Sequence, residues 1–160
     1  MLLLGWMPGL RKPVSALRLV GEIEELEREE KFERARALRS RALRETESSR
    51  AAALWRSEGS DRLHRLKDYR GPLDAFERAI GALEKSPAMY GVALPDQIYY
   101  GAAVAAVVIG DQAKAARYCG EFEEVLRSYR SNPSLRDSDY VRHHEDGLEW
   151  LRSRLDVGHA

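Results

Sequence analysis

The sequence predicts an all-α fold in which antiparallel helical hairpins stack in sequence order. Strand signals are nearly absent, since no run shows sustained apolar–polar alternation bounded by turn residues. Residues 17–43 are rich in Leu, Glu, Arg and Ala, all of which favour helices. Glycine and proline divide the rest of the chain into segments of about 15 to 20 residues, the usual length of a helix.

The elements follow from this punctuation. Acid-before-base pairs four residues apart support an exposed face on the first helices: Glu24–Arg28, Glu27–Lys31 and Glu30–Arg34. Seven helices are expected near residues 15–30, 32–48, 51–67, 72–85, 96–109, 112–130 and 135–155. The corresponding regions are a flexible apolar arm, three hairpins, and a capping helix with its tail, at residues 1–14, 15–133 and 134–160. The capping helix carries an apolar stripe at Val141, His144, Leu148, Leu151 and Leu155, and Ser134 or Ser138 is expected to cap its start.

The apolar opening of the chain does not resemble a targeting segment. Arg11 and Lys12 follow the apolar residues 1–7, whereas a secretory signal has its positive charge first. We expect an arm that rests on a neighbouring helix, the alternative being a small adhesive patch for a partner or a membrane surface. The uncharged run from Gln97 to Gly110 is too short to span a bilayer and suits a buried helix. The protein is therefore predicted to be soluble and cytoplasmic.

Composition excludes several classes of protein. The 160 residues suit one domain, and 26 basic residues balance 26 acidic ones. A chain with zero net charge has no overall field to attract a polyanion, which argues against nucleic acid as the main ligand. The single cysteine, Cys119, excludes a disulfide framework and a cysteine-based zinc cluster, and its apolar repeat position predicts a small buried hydrophobe.

Residues 55–79 carry a repeat-like pattern of bulky, small and apolar positions: Trp55, Gly59, Leu63, Asp68, Tyr69, Phe76 and Ala79. This resembles the tetratricopeptide repeat, a unit of about 34 residues in two antiparallel helices. The sequence departs from the repeat motif at Glu58, Arg62 and Pro72. The alignment also needs a shift of one residue, called the slip below, before Asp68. The next hairpin follows the spacing through Tyr99, Ala102, Ala103, Ala106, Ala115, Cys119 and Phe122, and the first through Leu19, Ile23, Leu26, Phe32, Ala35 and Ala42. A competing interpretation makes residues 57–61 a loop in a plain helical bundle.

The resemblance implies a right-handed stack of about three units over residues 19–130, and a non-enzymatic adaptor or scaffold that binds a partner's peptide or helix in a groove. Carried over from the bulky positions, the binding residues are Val20, Glu24, Glu27, Arg56, Ser60, His64, Tyr100, Val104 and Val107. The direct carry-over from Trp55 gives Leu63 at the third position, with His64 in its place if the slip falls there. An acidic lip at Glu24 and Glu27 would face a basic residue of the partner, and an apolar floor would hold an anchor. Tyr100 is the expected hot spot, unless Tyr100 and Val104 are simply core residues.

Catalytic signals are sparse. The sequence has no glycine-rich phosphate loop, nucleophile elbow or paired-cysteine spacing, and no cofactor is expected. His143 and Asp146 lie three apart and could share a metal ion, but the sequence offers no further ligands. His144 lies on the apolar stripe, where a packed imidazole is the ordinary explanation.

Two opposite charge runs stand next to each other, an acidic one at 22–30 and a basic one at 31–44. We interpret them as neighbouring helices that attract each other across a hairpin. The alternative is a basic face for RNA or an acidic partner, although aromatic residues do not interleave the arginines as a stacking surface requires.

The leading functional prediction is therefore a protein–protein interaction module with a protein or peptide partner, and neither nucleic acid nor membrane. A second possibility is a self-associating structural protein that dimerises through the apolar helix at 98–109. The third, a metal-dependent enzyme that uses His143 and Asp146, has the least support.

Overall fold

The computed structural model describes residues 16–87 and 93–156, and in these ranges it confirms the all-α prediction. Seven α-helices and one short 3-10 helix (Ser48–Arg50) make up the described chain, without a strand. The helices are α1 (Ala16–Arg28), α2 (Phe32–Glu45), α3 (Ala52–His64), α4 (Gly71–Lys85), α5 (Pro95–Ile109), α6 (Gln112–Ser131) and α7 (Asp139–Asp156). The predicted arm at 1–14 and the end of the tail lie outside the described residues.

Helix α3 continues through Gly59, so the loop predicted as an alternative for residues 57–61 is wrong. The helix ends at His64, earlier than expected, because the chain turns there. Leu66 N donates to Asp61 O, and Lys67 has a positive φ of 49°. A left-handed residue of this kind cannot continue a right-handed helix.

The turn between α5 and α6 lies at the predicted Gly110–Asp111 pair. Gly110 has φ 79°, the left-handed conformation that glycine adopts without steric cost. The amide of Asp111 donates to Ala106 O, and the Asp111 carboxylate accepts from Lys114 N at 3.0 Å. One short turn therefore ends α5 with a C-terminal motif and caps the start of α6.

Helix α7 begins at Asp139 rather than near 135. The amides of Leu135 and Arg136 both donate to Asn132 O, which holds residues 133–137 in turns. Of the two serines predicted to cap this helix, Ser138 does so, since its Oγ accepts from Val141 N at 3.2 Å. Val141, Leu148 and Leu151 of the predicted stripe are buried.

Each helix packs against a neighbour in sequence, and the odd-numbered helices also contact one another. Helix α3 contacts α1 and α5, and α5 contacts α3 and α7. One apolar cluster contains residues of all five helices from α3 to α7, and a smaller one lies among α1, α2 and α3. Helices α1, α3, α5 and α7 thus contact one another in sequence order.

The ring of Phe76 on α4 lies between two glycines of the neighbouring helices. A Cβ built at Gly59 would lie 2.9 Å from the ring, and one at Gly101 would lie 2.3 Å from Phe76 Cζ. Real Cβ atoms do not approach other heavy atoms so closely. Glycine is unfavourable inside a helix, and the close packing of the Phe76 ring explains why it occupies position 59.

The opposite charges of the first two helices meet around one buried arginine. Arg39 of α2 is 0% exposed; its Nη1 lies 3.3 Å from Glu27 of α1, and its Nε donates to Glu58 of α3 at 3.1 Å. Its Nη2 lies 3.2 Å from Asp61 Oδ2. The attraction predicted between α1 and α2 is present in the Glu27–Arg39 pair. The other two carboxylates around Arg39, those of Glu58 and Asp61, belong to α3.

The helix at 98–109 offers little surface for self-association. Its residues Ile98, Ala102, Ala103, Ala105 and Ala106 are buried within the chain. Only Val108 and Ile109 at its end are exposed among its large apolar side chains. No helix in the described part of the chain combines the length and apolar character needed to cross a membrane.

Candidate functional site

A cavity of about 500 Å³ lies among α3, α5 and α7, and its size is typical of ligand pockets, which span roughly 300–1,000 Å³. We call it the central cavity. Arg56, Ser60 and His64 line it from α3. They are spaced four residues apart, so they share one face of that helix. Other linings come from α5 and α7, including Gln97, Gly101, His143, Asp146 and Gly147.

Aromatic rings form the apolar part of the cavity. They come from α4, α5, α6 and α7, and are Phe76, Tyr100, Phe122, Tyr140 and Trp150. The Tyr100 and Phe122 rings pack with their centroids 5.3 Å apart. Burial raises the pKa of the Tyr100 hydroxyl, which is the polar end of an otherwise apolar ring.

One wall of the central cavity is held by a buried carboxylate, Asp96, at the start of α5. Its side chain is 0% exposed, and it accepts hydrogen bonds from two tyrosines. Tyr129 of α6 donates to Oδ1 at 2.8 Å, and Tyr140 of α7 donates to Oδ2. The imidazole Nε2 of His144 lies 2.8 Å from the same Oδ2. Asp96 therefore joins three helices.

His144 is arranged as an imidazolium. Its Nε2 faces Asp96, and its Nδ1 lies 2.7 Å from the backbone oxygen of Tyr140, so both ring nitrogens face acceptors. Burial alone would lower the pKa of His144, but the hydrogen bonds to Asp96 and Tyr140 O raise it above its usual value. Burial would raise the pKa of Asp96, yet the hydrogen bonds that it accepts lower it. Burial and the bond to Asp96 raise the pKa of Tyr140 to about 12.

The stability of the protein is expected to fall as pH rises through the elevated pKa of His144. A raised folded-state pKa contributes stability that is complete below the unfolded value of about 6.5 and is lost above the folded value. The loss is on the order of 1 kcal/mol, the typical net contribution of one hydrogen bond to stability. Urea unfolding of the wild type across neutral and mildly alkaline pH measures it.

His143 provides the matched control for this experiment because it is adjacent and exposed. His143→Gln should keep the wild-type pH dependence, whereas His144→Gln should lose the component that sets in above about pH 6.5. An unchanged pH dependence in His144→Gln would contradict the ion pair.

The structure brings part of the predicted binding surface together at the central cavity. Arg56, Ser60, His64 and Tyr100 all line it. Of the two alternatives that the slip left open, His64 lines the cavity, whereas Leu63 packs against the core. Tyr100 is half-buried, and a Cβ at Gly147 would lie 2.9 Å from its ring.

The other predicted residues lie elsewhere. Val20 is only 6% exposed and belongs to the apolar cluster among α1, α2 and α3, so its assignment to a binding face is wrong. Glu27 pairs with Arg39 and, at 2.9 Å, with Arg65, and is therefore neutralised within the chain. Glu24 lies 3.7 Å from Arg56 Nη2. Val104 and Val107 are half-buried against the core and do not line the cavity.

The acidic lip predicted from Glu24 and Glu27 is consequently reduced to the half-exposed Glu24, because Arg39 and Arg65 already pair with Glu27.

His143 and Asp146, the metal pair considered from sequence, both line the cavity. Among the described residues, no three His, Cys, Asp or Glu side chains converge as metal ligands would. Cys119 is buried, and burial raises the pKa of its thiol, which disfavours the reactive thiolate.

Sequence reasoning missed Asp96 and its tyrosines. An acid just after Pro95 suggests an ordinary first-turn residue that favours the helix dipole. Its partners Tyr129, Tyr140 and His144 come from distant segments, and no local spacing connects them. The one available signal was His144 itself, a polar residue on an apolar stripe, since a buried polar group requires a partner.

Comparison with protein-family models, with curated proteins and with solved structures found no match to this chain.

Proposed function

We propose that this protein is a non-enzymatic interaction module that holds a peptide segment of a partner protein, with an apolar side chain of that segment in the central cavity. The observation that carries the proposal is the composition of the cavity. Five aromatic rings supply apolar contact, while Arg56, Ser60, Gln97 and His64 supply polar groups around them. A mainly apolar pocket with a few polar groups is the usual form of a binding site.

A binding role rather than a catalytic one is supported by His144. Both of its ring nitrogens already face acceptors within the protein, so neither is free to move a proton of a substrate. The tightly hydrogen-bonded Asp96 group instead fixes the position of Tyr140 and of the cavity wall.

The row of odd-numbered helices supports a stack of the kind that the sequence resembles. We propose that the hairpins form a right-handed tetratricopeptide-like array, with α7 in the place of a further first helix. Arg56, Ser60 and His64 on α3, together with Tyr100 on α5, then belong to one ligand-facing surface.

Filling the cavity should abolish peptide binding. Ser60 is exposed at the cavity wall, so Ser60→Trp places a large ring in the cavity without disturbing the core. Selection of a displayed random-peptide library on the wild type is expected to enrich peptides with a central aromatic or large aliphatic residue. On Ser60→Trp, recovery of these peptides should fall to background.

Ser131→Trp, at an exposed serine of α6 that does not line the cavity, is the matched control and should retain wild-type recovery. Equal recovery on Ser60→Trp and on the wild type, or no enrichment on the wild type, would refute the proposal.

A further inference from the structure

Arg56 is held in the wall of the central cavity with unused hydrogen-bonding capacity. Its side chain is 12% exposed, and its Nη1 donates to Gln97 Oε1 at 2.6 Å. Its Nε is buried and has no hydrogen-bond partner among the described residues. A guanidinium carries five N–H donors, and a buried donor without an acceptor is unfavourable. The wall therefore contains a cation whose hydrogen-bond donors are not all satisfied.

The acidic group nearest to Arg56 within the chain is a weak competitor for it. Glu24 Oε1 lies 3.7 Å from Nη2, beyond hydrogen-bonding distance, and the Glu24 side chain is 51% exposed. A solvated carboxylate of this kind can turn away at little cost. A ligand carboxylate inside the cavity would be better desolvated and could accept from the guanidinium at shorter range.

The other charges at the cavity do not cancel this preference. His144 and Asp96 neutralise each other in the wall. Asp146, the acidic residue that lines the cavity, is exposed and belongs to α7, whereas Arg56 shares its face of α3 with the hydroxyl of Ser60 and the imidazole of His64. The α3 side of the cavity thus offers donors to an anion.

We propose that the peptide held in the central cavity carries an acidic residue beside its apolar anchor, and that Arg56 binds this carboxylate while the aromatic rings contact the anchor. The inference rests on the proposed function and specifies the chemistry of the partner. It reverses the polarity predicted from the sequence, in which an acidic lip would meet a basic residue, because Glu27 is already paired with arginines and the charged group of α3 that lines the cavity is Arg56.

Two displayed peptide libraries test the inference. They are identical except that a fixed central Phe is followed by Glu in one and by Gln in the other. The wild type should recover the Glu library about tenfold more efficiently than the Gln library, the ratio that corresponds to ~1.4 kcal/mol. Arg56→Gln should lose this preference, and Arg56→Lys, which keeps the charge without the planar fork, should retain part of it.

Glu24→Gln adds an arm in which folding is not at risk, because Glu24 is exposed. Removal of the competing carboxylate should increase the preference for the Glu library. Equal recovery of both libraries by the wild type would overturn the inference and leave the proposed function intact. Recovery of neither library above the level on Ser60→Trp would overturn both. A Glu preference that persists in Arg56→Gln would overturn the role of Arg56.

Discussion

Replacement of Arg39 by alanine is expected to lower the free energy of unfolding by about 3–5 kcal/mol, the cost of removing one member of a buried ion group. Arg39 is fully buried, with Glu27, Glu58 and Asp61 around its guanidinium. Without it, these carboxylates lose the central cation. The partly exposed Arg36 and Arg65 remain near Asp61, but they approach it from the outside and are themselves partly solvated.

Arg41 on the same helix is the matched control, because it is exposed. Arg41→Ala should change the free energy of unfolding by less than about 0.5 kcal/mol, as surface substitutions usually do. Denaturant unfolding of the two variants measures the difference. A loss of less than about 1 kcal/mol in Arg39→Ala would show that Arg39 is not a central buried cation.

Alanine at Gly101 is expected to destabilise the protein by about 1–3 kcal/mol, the usual cost of overpacking a core. Its Cβ would lie 2.3 Å from Phe76 Cζ, so either the ring or the backbone of α5 must move. The ring has little freedom to retreat, since Gly59 of α3 touches it as well.

Gly120 provides a control with the opposite sign. It is exposed within α6, and a Cβ built there meets nothing within 4 Å. Gly120→Ala should stabilise the protein by about 0.4–1 kcal/mol, because alanine loses less backbone entropy in a helix. Thermal or urea unfolding distinguishes the two variants. If Gly101→Ala were as stable as Gly120→Ala, the close approach of Phe76 to α5 would be refuted.

The helices were predictable because their signals are local. Glycine and proline mark the ends, as at Gly110, and the apolar stripe of α7 repeats at helical spacing. The boundaries that differ, at His64 and Asp139, depend on backbone hydrogen bonds in turns that no single residue type announces.

Buried charge was less accessible from sequence. Residues 31–44 contain several arginines of similar appearance, and only Arg39 is buried. Its position was signalled indirectly, because Ala35, Arg39 and Ala42 share one face of α2, and small residues on either side of an arginine suggest a core position. Its partners on α3 could not be predicted, because the pairing depends on how α3 packs against α1 and α2.

The candidate site was predictable on one wall only. The resemblance to the tetratricopeptide repeat nominated Arg56 and Ser60 on α3, followed by Leu63 or His64, and residues four apart share one face of a helix. The opposite wall comes from α7, which the sequence predicted only as a capping helix. Tyr140 and Trp150 therefore entered no sequence prediction as lining residues.

The interface between α5 and α7 combines two kinds of contact that differ in how many residue types they tolerate. Leu148 and Leu151 pack into the apolar core, where many aliphatic combinations of similar volume are interchangeable. No other residue can replace Asp96 in this way. Asparagine would remove the negative charge that pairs with His144, and glutamate would add a methylene group at a fully buried position. Several combinations of apolar residues would therefore hold α7 against the bundle equally well. Asp96 alone selects which face of α7 turns toward α5, because it binds Tyr140 and His144 on that face.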